Sequence, residues 1–235
     1  MNKLSLIAAT IAVMLAFPPS TRAAGDSALV IIPADFSTII NNPLFKMPEG
    51  RTTYFRSQTA DGLEKGEILV TGATRTLMGV KTLIVRDRVY LDGVILEDTM
   101  DYFAQHKNGA VWYFGEDVDN YEDGVLVDHD GTWHAGVDGA RPGRLMLAHP
   151  KVGQVYREEY YAGQAEDMAK VLSITATIRT PLGTFNNCLK TENWSPLEPG
   201  VKEHKFYCRQ VGGLVLEKDL QSGECNVLVK IKDCD

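Results

Sequence analysis

Short apolar runs alternate with turn dipeptides along most of the chain. Asp92-Gly93, Asn108-Gly109, Asp123-Gly124, Asp130-Gly131 and Asp138-Gly139 are pairs that accept positive φ, as tight hairpins require. The β-rich runs between them, at 82–91, 94–97, 102–105, 110–115 and 125–128, read as a meander of hairpins. Leu83, Val85, Val89 and Leu91 share one face of their run, with Asp87 the lone polar intruder. Leu172, Ile174, Ala176 and Ile178 alternate with Ser173, Thr175 and Thr177, the pattern of a half-buried strand. After the turn Pro181-Leu182-Gly183, runs at 185–191, 202–208, 213–218 and 225–231 predict an antiparallel sheet. Ala165, Met168, Ala169 and Leu172 stand at i, i+3, i+4 and i+7 and predict a short helix over 164–171, in competition with a strand starting near Val171. The expected fold is all-β: an antiparallel meander forming a curved sheet, half-barrel or open barrel, with at most one or two short helices.

The N-terminus has its own pattern. Lys3 precedes an apolar run over 4–17 broken only by Ser5 and Thr10, and Pro18, Pro19 and small residues follow. This is the layout of a secretory signal peptide, too short to span a bilayer stably. Thr21-Arg22-Ala23 supplies small residues at the last and third-last positions, so cleavage is expected after Ala23. The mature chain is then secreted or periplasmic, with no transmembrane segment. Residues 24–42, with Pro33 and many β-branched side chains, read as an irregular lead-in, and 43–235 as a single β domain. Arg141-Pro142-Gly143 and His149-Pro150 interrupt the pattern and allow a two-lobed break near 139–153.

Charge narrows the partners. Removing 23 of the 235 residues leaves 212, and with Lys3 and Arg22 gone, 22 Lys and Arg face 31 Asp and Glu, a net charge of −9. Nucleic acid and anionic membranes need clustered cations, so neither is an expected partner. A cation or a small apolar or neutral ligand is compatible, as is plain solubility. Four cysteines, Cys188, Cys208, Cys225 and Cys234, predict two disulfides with three connectivities. A hairpin pairing 185–191 with 202–208 puts Cys188 opposite Tyr207 or Cys208 and makes a Cys188–Cys208 bridge natural. Cys225 is then left to Cys234, across nine residues that must turn back. A Cys208–Cys234 pairing is the rival.

Three constellations bear on chemistry. Seven of the residues over 116–130 are acidic, and Glu116, Asp117, Asp119 and Asp123 are candidate metal ligands, since calcium takes six to eight oxygens. The stretch lacks the loop-six glycine and loop-twelve acid of an EF-hand, and Asp in hairpin turns explains much of it. No cofactor is identified otherwise. Trp112, Phe114, Trp133, Tyr156 and Tyr160 are candidate ligand-binding aromatics for a concave sheet, and equally candidates for core. His129 and His134 lie near carboxylates, but no nucleophile motif, metalloprotease motif or phosphate loop accompanies them. No catalytic residue is assigned.

Several segments resemble a known family. Residues 101–105 (Asp-Tyr-Phe-Ala-Gln) followed by 108–116 (Asn-Gly-Ala-Val-Trp-Tyr-Phe-Gly-Glu), the run 136–140 with Pro142-Gly143, residues 156–160 (Tyr-Arg-Glu-Glu-Tyr), and residues 183–191 continued by Glu198-Pro199-Gly200-Val201 are similar to signatures of a family of secreted bacterial β-rich proteins of unassigned function. The closing pattern, Tyr207 leading to 211–215, also resembles the last strands of periplasmic half-barrel proteins that hold lipids. The resemblance implies a secreted β domain over most of the chain and brings no catalytic residue. Cys208, where a small residue is usual, and the cysteine-containing tail depart from it. The combined expectation is a secreted or periplasmic non-catalytic binding protein with a partly apolar concave face. An acidic calcium-binding module is the alternative, and a hydrolase without a recognisable motif the second.

Overall fold

A computed structural model describes residues 30–233; the expected signal peptide and Cys234 lie outside the described residues. After a 3-10 turn at Pro33–Asp35 come three two-residue strands, β1 (Phe36–Ser37), β2 (Asn41–Asn42) and β3 (Phe45–Lys46). A first meander follows: β4 (Thr52–Gln58), β5 (Leu63–Leu77), β6 (Val80–Leu91), β7 (Val94–His106), β8 (Val111–Glu122) and β9 (Val125–Asp128). Short strands β10 (Trp133–His134), β11 (Arg141–Met146), β12 (Val155–Arg157) and β13 (Glu159–Tyr160) lead to a second meander. That meander comprises β14 (Met168–Thr180), β15 (Gly183–Trp194), β16 (Glu203–Cys208), β17 (Gly213–Asp219) and β18 (Cys225–Lys232).

These strands form one antiparallel sheet in the order β12-β14-β15-β16-β17-β18-β4-β5-β6-β7-β8-β11-β13, with β1, β9 and β10 attached beside it. The end strands β12 and β13 are separated in sequence by Glu158 alone. The chain therefore ties the two edges together, and the sheet is nearly closed into a barrel, which removes most of its exposed edge. The turns behave as their residues require: Asp92 and Gly93 both have positive φ (49° and 89°), as do Asp123 and Gly124 (50° and 77°).

Two expectations about element bounds change. The runs 94–97 and 102–105 are one strand, β7, because Asp98 to Asp101 stay in register with both β6 and β8. The predicted helix at 164–171 is absent. Ala165 makes an isolated bridge with Tyr161, and β14 begins at Met168. Apolar residues at helical spacing also satisfied a period of two, and Ala169 and Val171 are buried on alternate positions between β12 and β15. The segment read as an irregular lead-in carries β1 and β2, and the interrupted segment near 139–153 carries β11.

The β2–β3 hairpin is the second, separate sheet, and it fills the concave side of the large one. Gln105 Oε1 accepts the backbone N–H groups of Asn41 and Asn42 at 2.8 Å each, and Lys46 N–H donates to Gly212 C=O at 2.6 Å. Asn42 Nδ2 donates to the carbonyls of Gly109 and Leu147. Held at both ends, the hairpin buries Ile40, Leu44 and Met47 in the main core, and Phe45 packs against Phe103 and Tyr207 at ring distances of 6.0 and 6.2 Å. A second cluster around Phe55, Phe185, Val215 and Leu228 holds the Cys188–Cys208 disulfide. Leu189 pairs with Tyr207, which sets Cys188 beside Cys208 with Cα atoms 4.4 Å apart. Among the described residues Cys225 is not bridged.

Candidate functional site

The aromatic candidates divide between places. Phe114 is fully buried, and Phe36 of β1 packs edge-on against it at 5.4 Å and against Trp112 at 6.0 Å. Trp133 is buried edge-on against Tyr113, Tyr156 is buried, and Tyr160 lies under the guanidinium groups of Arg141 and Arg157. By strand alternation Trp112 and Phe114 point away from Tyr113. Tyr113, stacked on Phe103 at 4.9 Å, is the aromatic that turns toward the inside of the sheet.

The acidic stretch is strand, so its side chains alternate instead of converging. Glu116 is 2% exposed, whereas Asp117 and Asp119 sit on the other face and are each engaged by a histidine. His134 Nε2 meets Asp117 Oδ1 at 2.7 Å, and His129 Nδ1 meets Asp119 Oδ1 at 2.8 Å. Arg75 donates to Tyr102 Oη at 2.7 Å and to Asp117 at 2.6 Å, and Tyr102 donates to Asp117 as well. Desolvation alone would raise the Asp117 pKa; the hydrogen bonds from Tyr102 and His134 and the Arg75 charge hold it below the usual carboxylate range. Asp123 occupies the β8–β9 turn. Among the described residues, no three His, Cys, Asp or Glu side chains come together as a metal-ion site.

The unusual chemistry is inside. A cavity of about 60 Å³ lies between the hairpin and the sheet edges joined at Glu158. Phe45, Met47, Ile68, Val85, Leu145 and Leu214 form its apolar wall, and Glu158, Glu159, Asp167, Lys205, Tyr113 and Tyr207 its polar one. The backbone concentrates the acids: the N–H groups of Glu158 and Glu159 both donate to the Asp167 carbonyl, at 2.8 and 3.2 Å. Glu158 Oε2 accepts from Asn193 Nδ2 at 2.7 Å, but Glu158 Oε1 and both Glu159 oxygens have no hydrogen-bond partner although buried. Lys205 is turned toward Glu203 (3.6 Å) and Glu217 (3.9 Å). Next to Glu159 the acids continue with Asp101, which accepts from Tyr113 Oη at 2.6 Å, and Glu116, which faces Asp101 across β7 and β8.

Burial dominates the electrostatics. Desolvation raises the Glu158 pKa to about 7 against the opposing Lys205 charge, and Asp101 to about 7 against the Tyr113 hydrogen bond. It raises Asp167 to about 6, and pushes Glu159 well above the carboxylate range, with Asp167 and Glu158 adding repulsion. Asp101, Glu158 and Glu159 lie in segments that carry the family resemblance, but the sequence assigns them no site role because acids on strands ordinarily face water. The one signal was Asp87, which is 4% exposed on the same face as Leu83, Val85 and Val89.

No protein family matches this chain, and no curated protein matches it. A solved structure of a "putative lipoprotein" from Parabacteroides distasonis ATCC 8503 is similar at 17% identity and a TM-score of 0.43, over 80% of this chain and 98% of that one. That likeness is too low to bear on fold or function. Among the described residues no helix is long and apolar enough to cross a membrane, a statement that does not extend to strands.

Proposed function

We propose that this chain is a secreted or periplasmic, non-catalytic binding protein that encloses a small polar solute at the acidic seam of its sheet. The observation that carries this reading is Glu159, 2% exposed, with both oxygens unpartnered on the wall of a cavity. A buried carboxylate costs several kcal/mol unless something meets its charge or its lone pairs. A solute that binds there would supply what the chain itself does not.

Volume separates this from lipid carriage. A water needs about 10–15 Å³, so a cavity of about 60 Å³ holds about four to six water-sized atoms, far below the roughly 300–1,000 Å³ of drug-sized sites. Ile40, Leu44 and Met47 of the β2–β3 hairpin pack into the main core. The extracytoplasmic reading rests on the N-terminal layout of the sequence and on the Cys188–Cys208 disulfide, since such bonds persist in oxidising compartments.

Native mass spectrometry of protein purified without denaturation tests the reading. A small adduct released on unfolding is expected. A fatty-acid or phospholipid adduct, or a bare mass under every mild condition, overturns it.

A further inference from the structure

The proposed pocket has a chemistry specific enough to name its occupant. Three buried acceptors of its lining residues have no hydrogen-bond partner: Glu158 Oε1, Glu159 Oε1 and Glu159 Oε2. Lys205, the cation on the same wall, lies nearest Glu203 and Glu217. The pocket therefore presents three lone-pair sites and three carboxyl groups, Glu158, Glu159 and Asp167, to the single cation Lys205. A primary ammonium carries one positive charge and three N–H donors. A quaternary ammonium carries the charge without donors. Calcium asks for six to eight oxygens, and no three acids here are arranged for a metal.

The rest of the wall decides what the ammonium is attached to. Phe45, Met47, Ile68, Val85, Leu145 and Leu214 offer no donor or acceptor to a second polar group, and Tyr113 and Tyr207 add aromatic rings to the lining, which suit the neighbourhood of a cation. Space limits the whole molecule to about four to six heavy atoms. On the reading of this cavity as a ligand site, we infer that its occupant is a short-chain primary alkylammonium, its nitrogen on Glu158 and Glu159 and its alkyl group against Phe45 and Met47.

Thermal unfolding of the mature protein, followed at pH 8, above the value of about 7 to which burial raises Glu158, gives the test with n-butylammonium, tetramethylammonium, calcium and sodium chlorides at equal ionic strength. Butylammonium alone is expected to raise Tm saturably, by about 5 to 10 °C at a hundredfold excess over Kd. Glu159→Gln, which removes a buried ionisable group and should fold at least as well, is expected to abolish that rise. Glu122→Gln, an exposed acid outside the pocket, should keep it. Equal rises with tetramethylammonium or calcium, a rise that survives Glu159→Gln, or no rise with butylammonium overturns the inference. In the last case the acids satisfy one another by sharing protons, or hold another solute. An adduct in native mass spectrometry distinguishes these two, leaving the binding reading standing if one is present.

Discussion

Gly143 lies directly against the Glu158 carbonyl: a Cβ built on Gly143 would stand 2.0 Å from that oxygen and 2.3 Å from its carbon. Gly143 sits on β11, next to Pro142, which pairs with Glu159. Glu158 is the single residue linking the two edge strands. The glycine is thus the contact that lets the sheet close over the pocket.

Gly143→Ala should accordingly destabilise the protein. The obstacle is backbone on both sides, so the clash is relieved only by moving a strand; overpacking of this kind costs about 1–3 kcal/mol or more. For a chain of this size that lowers Tm by roughly 2–12 °C. The control is Gly139→Ala at the β-turn before it, where a Cβ meets nothing within 4 Å but φ is +86°, so that its cost comes from backbone strain alone. Thermal unfolding of both variants reads the difference, and a Gly143→Ala variant as stable as wild type would mean the seam is looser than described.

Stability should fall as pH rises from about 5 to about 8. Glu64, Asp101 and Glu158 have folded pKa values raised to about 7, and Asp167 to about 6, with desolvation the first cause in each. Between the unfolded carboxylate value and the folded one, the native state binds more protons than the unfolded state, so unfolding becomes easier with each step of pH. A single group raised from 4.5 to about 7 is worth on the order of 3 kcal/mol across that window. Asp117, held below the usual carboxylate range, is ionised in both states across this window and leaves the trend unchanged. Ligand-free protein in denaturant titrations at about pH 5 and pH 8 should show the fall, and a flat or rising profile would remove the buried acids as uncompensated charges.

Much of this architecture was readable from the chain, and the reason is local. Asp92-Gly93 and Asp123-Gly124 announce their hairpins because such pairs take two positive φ values in a row at little cost. Met78-Gly79 makes an equivalent turn, with φ of 50° and 78°, and escaped notice because methionine carries no turn preference. The closing runs at 185–191, 202–208, 213–218 and 225–231 came out in the right order, as successive neighbours in one sheet. The pocket was hidden because its parts are brought together only by sheet closure: Glu158 and Glu159 approach Asp101 and Glu116 through β11, not through the sequence. The aromatic candidates were legible as large apolar residues, whereas the covering of Trp112 and Phe114 by Phe36 depends on a two-residue strand too short to show a period.

The Cys188–Cys208 bridge should contribute about 3 kcal/mol in the chain-entropy model, given its sequence separation of 20. Both cysteines are fully exposed to no solvent, packed with Phe55, Phe185 and Leu228, so the Cys188→Ala/Cys208→Ala double variant loses some packing as well. Guanidinium titration should place its midpoint well below that of the oxidised wild type. Non-reducing peptide mapping should recover the 188–208 peptide pair; a Cys208–Cys234 pair would contradict the order of β15 and β16.

Phe45 stands between two chambers. It lines the acidic cavity of about 60 Å³ and a neighbouring apolar one of about 80 Å³, bounded by Val70, Val211 and Leu228, with Lys46 and Arg51 also on its wall. Truncating it to alanine removes the ring that packs on Phe103 and Tyr207 and should cost about 3 kcal/mol, the low end for a Phe→Ala change because the side chain is only partly buried. The same change should join the chambers. Wild-type protein is then expected to respond to n-butylammonium but not to n-octylammonium, whose chain has no room. Phe45→Ala, provided circular dichroism shows the sheet intact, should respond to both, with Met47, Ile68 and Leu214 forming the floor of the joined space. Isothermal titration calorimetry at pH 8 measures this. If the folded variant rejects octylammonium while still taking butylammonium, the second chamber is closed off by those three side chains and Phe45 is not the partition.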